Sequence, residues 1–144
     1  MKSVKGKYEF LEHTADVKFL AYGKDLAEAF SNAALATFAI MTDITKIKEK
    51  IKKEVKIEAT KKEPLLYDFL EQLVFLMDTQ GFLLSKIKKL EIEEKKGKYK
   101  LKAVVEGDNA DNYDVHTAIK AVTYNDMFIK EGKNKVIIQV VHDI

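Results

Sequence analysis

The sequence predicts an α+β fold in two layers, a mixed, mostly antiparallel sheet packed on two main helices, with residues 1–144 forming one domain. Three observations predict it. Two stretches carry apolar residues at helical spacing, Leu26 to Met41 and Leu65 to Met77, while the remaining apolar residues alternate in short runs bounded by turn residues. The last run, Val136 to Val141, is apolar on both alternating sets of positions, so both of its faces should be covered and the strand should be central. Finally, 144 residues with 47% hydrophobic content suffice for one core and fall short of two.

Taken in order, Tyr8 to His13 and Val17 to Tyr22 read as two strands joined tightly through Thr14-Ala15-Asp16, the second ended by Gly23. Asp25 followed by Glu28 resembles a capping box, and Leu26, Phe30, Ala33, Ala34, Thr37, Phe38 and Met41 form one apolar helix face. The alanines permit close approach of a neighbour. Val55, Ile57 and Ala59 then alternate with charged residues, as in a half-exposed strand. Pro64 suits the first turn of a second helix, in which Leu65, Leu66, Phe69, Leu70, Leu73, Val74, Leu76 and Met77 cover most of the circumference, so this helix should be buried up to its stop at Gly81. Ile87 to Glu93 and Tyr99 to Glu106 read as a hairpin through Lys96-Gly97, residues 107–114 as a polar loop, and Ile119 to Ile129 as a distorted strand that turns at residues 131–134 into the last one.

Composition excludes several functions. With no cysteine, disulfides, thiolate metal sites and a cysteine nucleophile are ruled out. All 25 basic residues are lysine, and they nearly balance 23 acids to leave a net charge of +2. A surface that reads RNA would need the arginine fork or a strong basic excess, so direct tRNA binding is not expected. No apolar run spans a bilayer and no basic-then-apolar leader opens the chain, which predicts a cytoplasmic protein without membrane contact.

Nucleotide-site glycine motifs and the serine-hydrolase elbow are missing. The aspartates of residues 108–114 lack the alternating spacing of a calcium loop, and position twelve from Asp108 is Ile119 instead of glutamate. His13, His116 and His142 never pair at the spacing of a helical zinc site. Two features remain. At the last residues of the sequence, the carboxylate of Ile144 falls beside that of Asp143 on a rigid strand, where the two repel unless a cation, a donor or water intervenes. Glu12-His13-Thr14-Ala15-Asp16 places a threonine and an aspartate at a bend, where they can also serve simply as turn residues.

Glu12-His13-Thr14-Ala15-Asp16-Val17, Ala21-Tyr22-Gly23, Met41-Thr42-Asp43, Asp78-Thr79-Gln80-Gly81, Ile119-Lys120-Ala121-Val122-Thr123-Tyr124 and the final Asp143-Ile144, in this order, together resemble the archease family. That resemblance implies a small protein cofactor of the RtcB-type RNA ligase that joins tRNA halves. Such a protein promotes GTP-dependent guanylylation of the ligase and its multiple turnover, is not itself an enzyme, has no organic cofactor, and meets tRNA only indirectly. A chaperone or assembly modulator of RNA-processing enzymes is the alternative the resemblance allows.

The resemblance further implies a metal site at Asp16, Asp143 and the Ile144 carboxylate, a partner-activating role for Lys120, and supporting positions for His13 and His142. An all-oxygen set of this charge suits a hard divalent cation, Ca²⁺ first, with Mg²⁺ as the other choice. The chain departs from the family pattern at Asn125, where histidine is frequent, and at His142, where an apolar residue is common.

Overall fold

The structure, a computed structural model, describes residues 1–11 and 15–144. Its strands β1 (Tyr8–Leu11) and β2 (Asp16–Gly23) are followed by helix α1 (Leu26–Met41), β3 (Ile51–Ala59), helix α2 (Lys62–Gln80), and the hairpin β4 (Phe82–Lys95) and β5 (Lys98–Asn109). The chain ends with β6 (Ala121–Val122), β7 (Phe128–Gly132) and β8 (Lys135–Asp143). This is the expected α+β fold of two helices and antiparallel strands. The described strands divide between two sheets, one ordered β1-β2-β8-β6 with β7 also on β8, the other β3-β5-β4.

Helix α1 starts where the sequence places its cap. The Asp25 carboxylate accepts the Glu28 N–H at 2.9 Å, while the Glu28 carboxylate accepts the Lys24 N–H at 2.9 Å, so two donors at the helix start are satisfied reciprocally. Its alanines bring it against β2 and β8 of one sheet and β4 of the other, and most of its circumference is buried. Phe30 of α1 stacks on Phe69 of α2 with ring centroids 6.3 Å apart, joining the helices inside the core.

Helix α2 is less buried than its apolar content suggests. Leu65, Leu66, Phe69, Leu70, Leu73, Val74 and Leu76 point inward, but Glu71 and Phe75 are exposed, because only one side of the helix is covered by the β3-β5-β4 sheet and α1. Gly81 closes it in the left-handed region at φ 67°, its N–H reaching the Leu76 and Met77 carbonyls. The β4–β5 hairpin turns at Lys96-Gly97 as expected and runs longer than the apolar alternation implies. It is longer because Gly107, Asp108 and Asn109, read above as loop, continue β5 beside Leu84, Leu83 and Phe82. Asp108 tolerates burial there because the Tyr113 hydroxyl donates to it at 2.7 Å and the Asn109 N–H at 2.8 Å; these bonds also hold its carboxyl below the usual range.

The last strand is central, with β2 on one side and β6 and β7 on the other. Its even-numbered face, Val136, Ile138, Val140 and His142, is buried in the core, whereas Ile137 and Gln139 on the opposite face are half-exposed. Coverage of that second face is therefore partial. The distorted strand expected over Ile119 to Ile129 is two short strands separated by a loop at 123–127, in which Asp126 takes a positive φ of 53°.

Candidate functional site

The β2–β8 register decides which motif residues meet. Asp16 pairs with Asp143 and Val17 with His142; on the other flank Ala121 pairs with Asp143 and Val122 with His142. Directly opposed residues have Cβ atoms about 4.5–5.5 Å apart and share a face, so the two aspartates project side by side from the same end of the sheet. Residue 16 and residue 143 thus become neighbours through one antiparallel pairing. Ile144 follows beyond the last paired residue and is exposed.

Lys120 lies on the other flank of Asp143, its N–H donating to the Asp143 carbonyl at 2.8 Å and its side chain exposed. The loop after it folds over the outer face of the sheet. Thr123 donates its hydroxyl to the Val141 carbonyl at 2.7 Å, Gln139 donates its amide to the Asp126 carbonyl at 2.8 Å, and Lys18 pairs with the Asp126 carboxylate at 3.3 Å. These contacts explain why Val141 is buried on a face whose other residues are not. Asn125, exposed in the same loop, donates its N–H to the Thr123 hydroxyl oxygen at 3.2 Å.

His142 faces the other way. Because successive strand residues alternate, its imidazole points into the core, on the opposite side from Asp143, and it is fully buried against α1 and Phe19. The Thr37 hydroxyl donates to the Ala33 carbonyl at 2.9 Å and lies 2.9 Å from His142 Nε2. With its one proton committed, Thr37 accepts from Nε2–H, which leaves Nδ1 as a buried acceptor with no hydrogen-bond partner among the described residues. Burial pushes the imidazole pKa down to about 3, so the ring is neutral at ordinary pH. His13 lies outside the described residues, as do Glu12 and Thr14 of the same motif.

The donor set fits a hard cation by its chemistry. Among the described residues no three Asp, Glu or His side chains gather as a metal centre, but Asp16 and Asp143 supply two carboxylates and the Ile144 carboxylate is a third candidate from the main chain. Oxygen donors of this charge match Ca²⁺ or Mg²⁺, with water completing the shell.

Residues 8–144 match the Archease protein family (MTH1598/TM1083). The chain belongs to the archease family. It is 41% identical over 146 aligned residues to protein archease of Methanosarcina acetivorans, covering all of both chains. It is 38% identical to protein archease of Pyrococcus furiosus, over 86% of this chain and 88% of that one. The solution structure of Methanobacterium thermoautotrophicum protein 1598 superposes with a TM-score of 0.82 at 34% identity, covering 98% of this chain and 100% of that one. The crystal structure of a Thermotoga maritima archease, described as a possible chaperone, shares the fold at a TM-score of 0.57 and 18% identity, covering 93% and 94%.

One feature of this archease-family chain was not legible in its motifs. Tyr124 of the Lys120 motif stacks on Tyr67 of α2, centroids 4.3 Å apart and planes 10° from parallel. Sequence reading singles out Tyr124 but passes over Tyr67, whose only signal is an aromatic ring on the polar side of a helix, one turn before Glu71.

Proposed function

We propose that this chain activates an RtcB-type RNA ligase, promoting its GTP-dependent guanylylation and multiple turnover, and does so with a divalent cation held at Asp16, Asp143 and the Ile144 carboxylate. Membership of the archease family supports the partner. The single observation that carries the site is the Asp16–Asp143 register: like charges directly opposite on neighbouring strands oppose folding, and a cation between them reverses that effect. When bound, the cation supplies positive charge at an exposed edge of the protein. Asp16 and Asp143 hold it, Lys120 adds an exposed ammonium beside the same edge, and His142 supports Asp143 only through the strand, from the far side.

The test is ligase guanylylation measured with and without this protein, at substoichiometric amounts and with purified Ca²⁺ and Mg²⁺. Stimulation that Asp143→Asn abolishes is expected; equal guanylylation in the presence and absence of the wild-type chain overturns the reading. Extending the chain by one glycine moves the terminal charge roughly 3.3 Å along the strand. The extended protein should activate less well, and an N-terminal extension should not matter.

The chaperone reading is favoured by the description of the Thermotoga relative. A holdase of that kind protects unfolding proteins regardless of identity, through a broad apolar patch. Suppression of aggregation of an unrelated heat-labile enzyme separates it from specific activation.

A further inference from the structure

Among the described residues, five large apolar or aromatic side chains are notably exposed, and three of them, Met1, Val4 and Ile144, lie close to the ends of the chain. The other two, Tyr124 at 51% and Phe75 at 53%, lie on one side of the molecule, along the outer face of α2. Tyr67, Asp68, Glu71 and Phe75 follow one another at helical spacing there, so both carboxylates lie between the Tyr67–Tyr124 stack and the Phe75 ring. Beside them a groove of about 480 Å³ runs between α2 and β3, lined by Asp68, Glu71 and Phe75 together with Lys56 and Glu58.

The electrostatics of this face are unbalanced. Glu58 pairs with Lys100 at 3.6 Å, but neither Asp68 nor Glu71 forms an ion pair with any described lysine. Partial burial and the neighbouring Glu71 raise the Asp68 pKa, and burial first, with the same acids second, raises those of Tyr67 and Tyr124. Burial and mutual repulsion thus both work against negative charge on this face, and Lys56, the lysine that lines the groove, forms no ion pair with either acid.

We propose that the Tyr67–Tyr124 stack, the Asp68 and Glu71 carboxylates and the exposed Phe75 form the docking surface for an arginine-bearing patch of the ligase, a proposal that rests on the activator reading above. A guanidinium lies flat on a tyrosine face and forks to a carboxylate with two parallel hydrogen bonds, so one arginine uses both halves of the surface. Nucleic acid and anionic lipid are repelled by the paired carboxylates. A second copy of this chain has no arginine to offer. The surface also continues into the candidate metal edge, since Tyr124 directly follows Thr123, which is bonded to the main chain of Val141 two residues before Asp143.

Docking and activation can be separated by titrating the protein against a fixed amount of ligase and reading the initial rate of guanylylation. Asp68→Lys/Glu71→Lys should raise the half-activating concentration at least about tenfold, the factor of a 1.4 kcal/mol loss of affinity, while the saturated rate stays at the wild-type value. Asp68→Asn/Glu71→Gln should shift it in the same direction by less, and should melt no lower than wild type, because it removes a mutual repulsion. Asp143→Asn, by contrast, should lower the saturated rate. If wild type activates and both folded double variants half-activate at the wild-type concentration, the docking surface is wrong while the activator reading stands. If wild type does not activate, both fall. Sedimentation showing a dimer that the lysine variant dissolves would assign the surface to self-association and likewise overturn the proposal.

Discussion

The two sheets handle charge in opposite ways. On the outer face of β3-β5-β4, lysines and acids alternate along β3 as Lys52, Glu54, Lys56 and Glu58, and most directly opposed charged pairs of the sheet have opposite sign: Lys52 with Glu106, Glu58 with Lys100, Glu91 with Lys102. Lys56 and Lys102 are an exception, and Lys102 has Glu91 on its other side, so its charge is balanced across the strand. At the end of the other sheet Asp143 lies between Asp16 and Ala121, so that its directly opposed partner on one side carries the same charge and on the other side none. The first arrangement is that of a solvated scaffold. The second places two like-charged side chains directly opposite each other at a strand end, where the proposed function puts the cation.

The largest effect that sharpens this contrast belongs to the scaffold. A Cβ added at Gly107 would lie 1.8 Å from the Leu83 carbonyl oxygen, a backbone atom that can move only if β4 and β5 separate. Gly107→Ala should cost about 3 kcal/mol or more, at the upper end for overpacking, read as a lower urea midpoint. The cation response of whatever protein remains folded should be unchanged. A loss below about 1 kcal/mol would show that the β4–β5 approach is not a constraint.

Next in size is the cation itself. A ligand at about a hundred times its dissociation constant stabilises the folded state by about 2.7 kcal/mol if the unfolded chain does not bind it. Wild type should therefore melt at a higher temperature in Ca²⁺ or Mg²⁺, and Asp16→Asn or Asp143→Asn should each remove that rise relative to the same variant in chelator. Equal cation affinity of wild type and both variants by calorimetry would return the Asp16–Asp143 pair to the scaffold class.

The elements that could be read from sequence are those whose signals are local. The Asp25 and Glu28 cap, the Gly81 stop and the Lys96-Gly97 turn each lie within a few residues of what they determine. What could not be read depends on partners remote in sequence. Asp108 looks like a loop residue until Tyr113 is seen to satisfy it, and α2 looks buried all round until its covered side is known. His142 and Asp143 are adjacent in sequence, and only the β2–β8 register sends one into the core and the other to the edge. Separation of the strands into two sheets leaves no mark in alternation at all, since period two reports burial of a face and not the identity of the neighbouring strand.

His142 provides a third break in the comparison, through pH. Its pKa falls from an ordinary value near 6.5 to about 3 on folding, so between those values the unfolded chain binds a proton that the folded one refuses. Stability is complete above pH 6.5 and is lost as pH falls toward 3, by up to about 1.4 kcal/mol per pH unit. Denaturant midpoints should thus record a loss of about 2 kcal/mol between pH 8 and pH 5. His142→Leu should flatten that slope while keeping the fold, because Thr37 still donates to Ala33. A slope unchanged in the leucine variant would place the acid sensitivity elsewhere.

The smallest expected effect tests the scaffold side of the contrast. Lys100 and Glu58 approach to 3.6 Å, but their side chains keep 51% and 60% of their exposure, so water screens the pair and both long side chains lose rotamer freedom in forming it. A double-mutant cycle with Lys100→Ala and Glu58→Ala should give a coupling of no more than about 0.5 kcal/mol, fading in high salt. Ligase activation at saturation should be the same for all four proteins, because neither residue touches the Asp143 edge. Losing Lys100 alone should leave Glu58 unpartnered beside Asp68 and Glu71 in the groove, and so deepen its negative potential. If an arginine patch docks there, Lys100→Ala should slightly lower the half-activating concentration, and Glu58→Ala should slightly raise it. Shifts of reversed sign, or the same shift from both substitutions, would mean that the groove's negative charge does not aid recognition and that the charged ladder serves solubility alone.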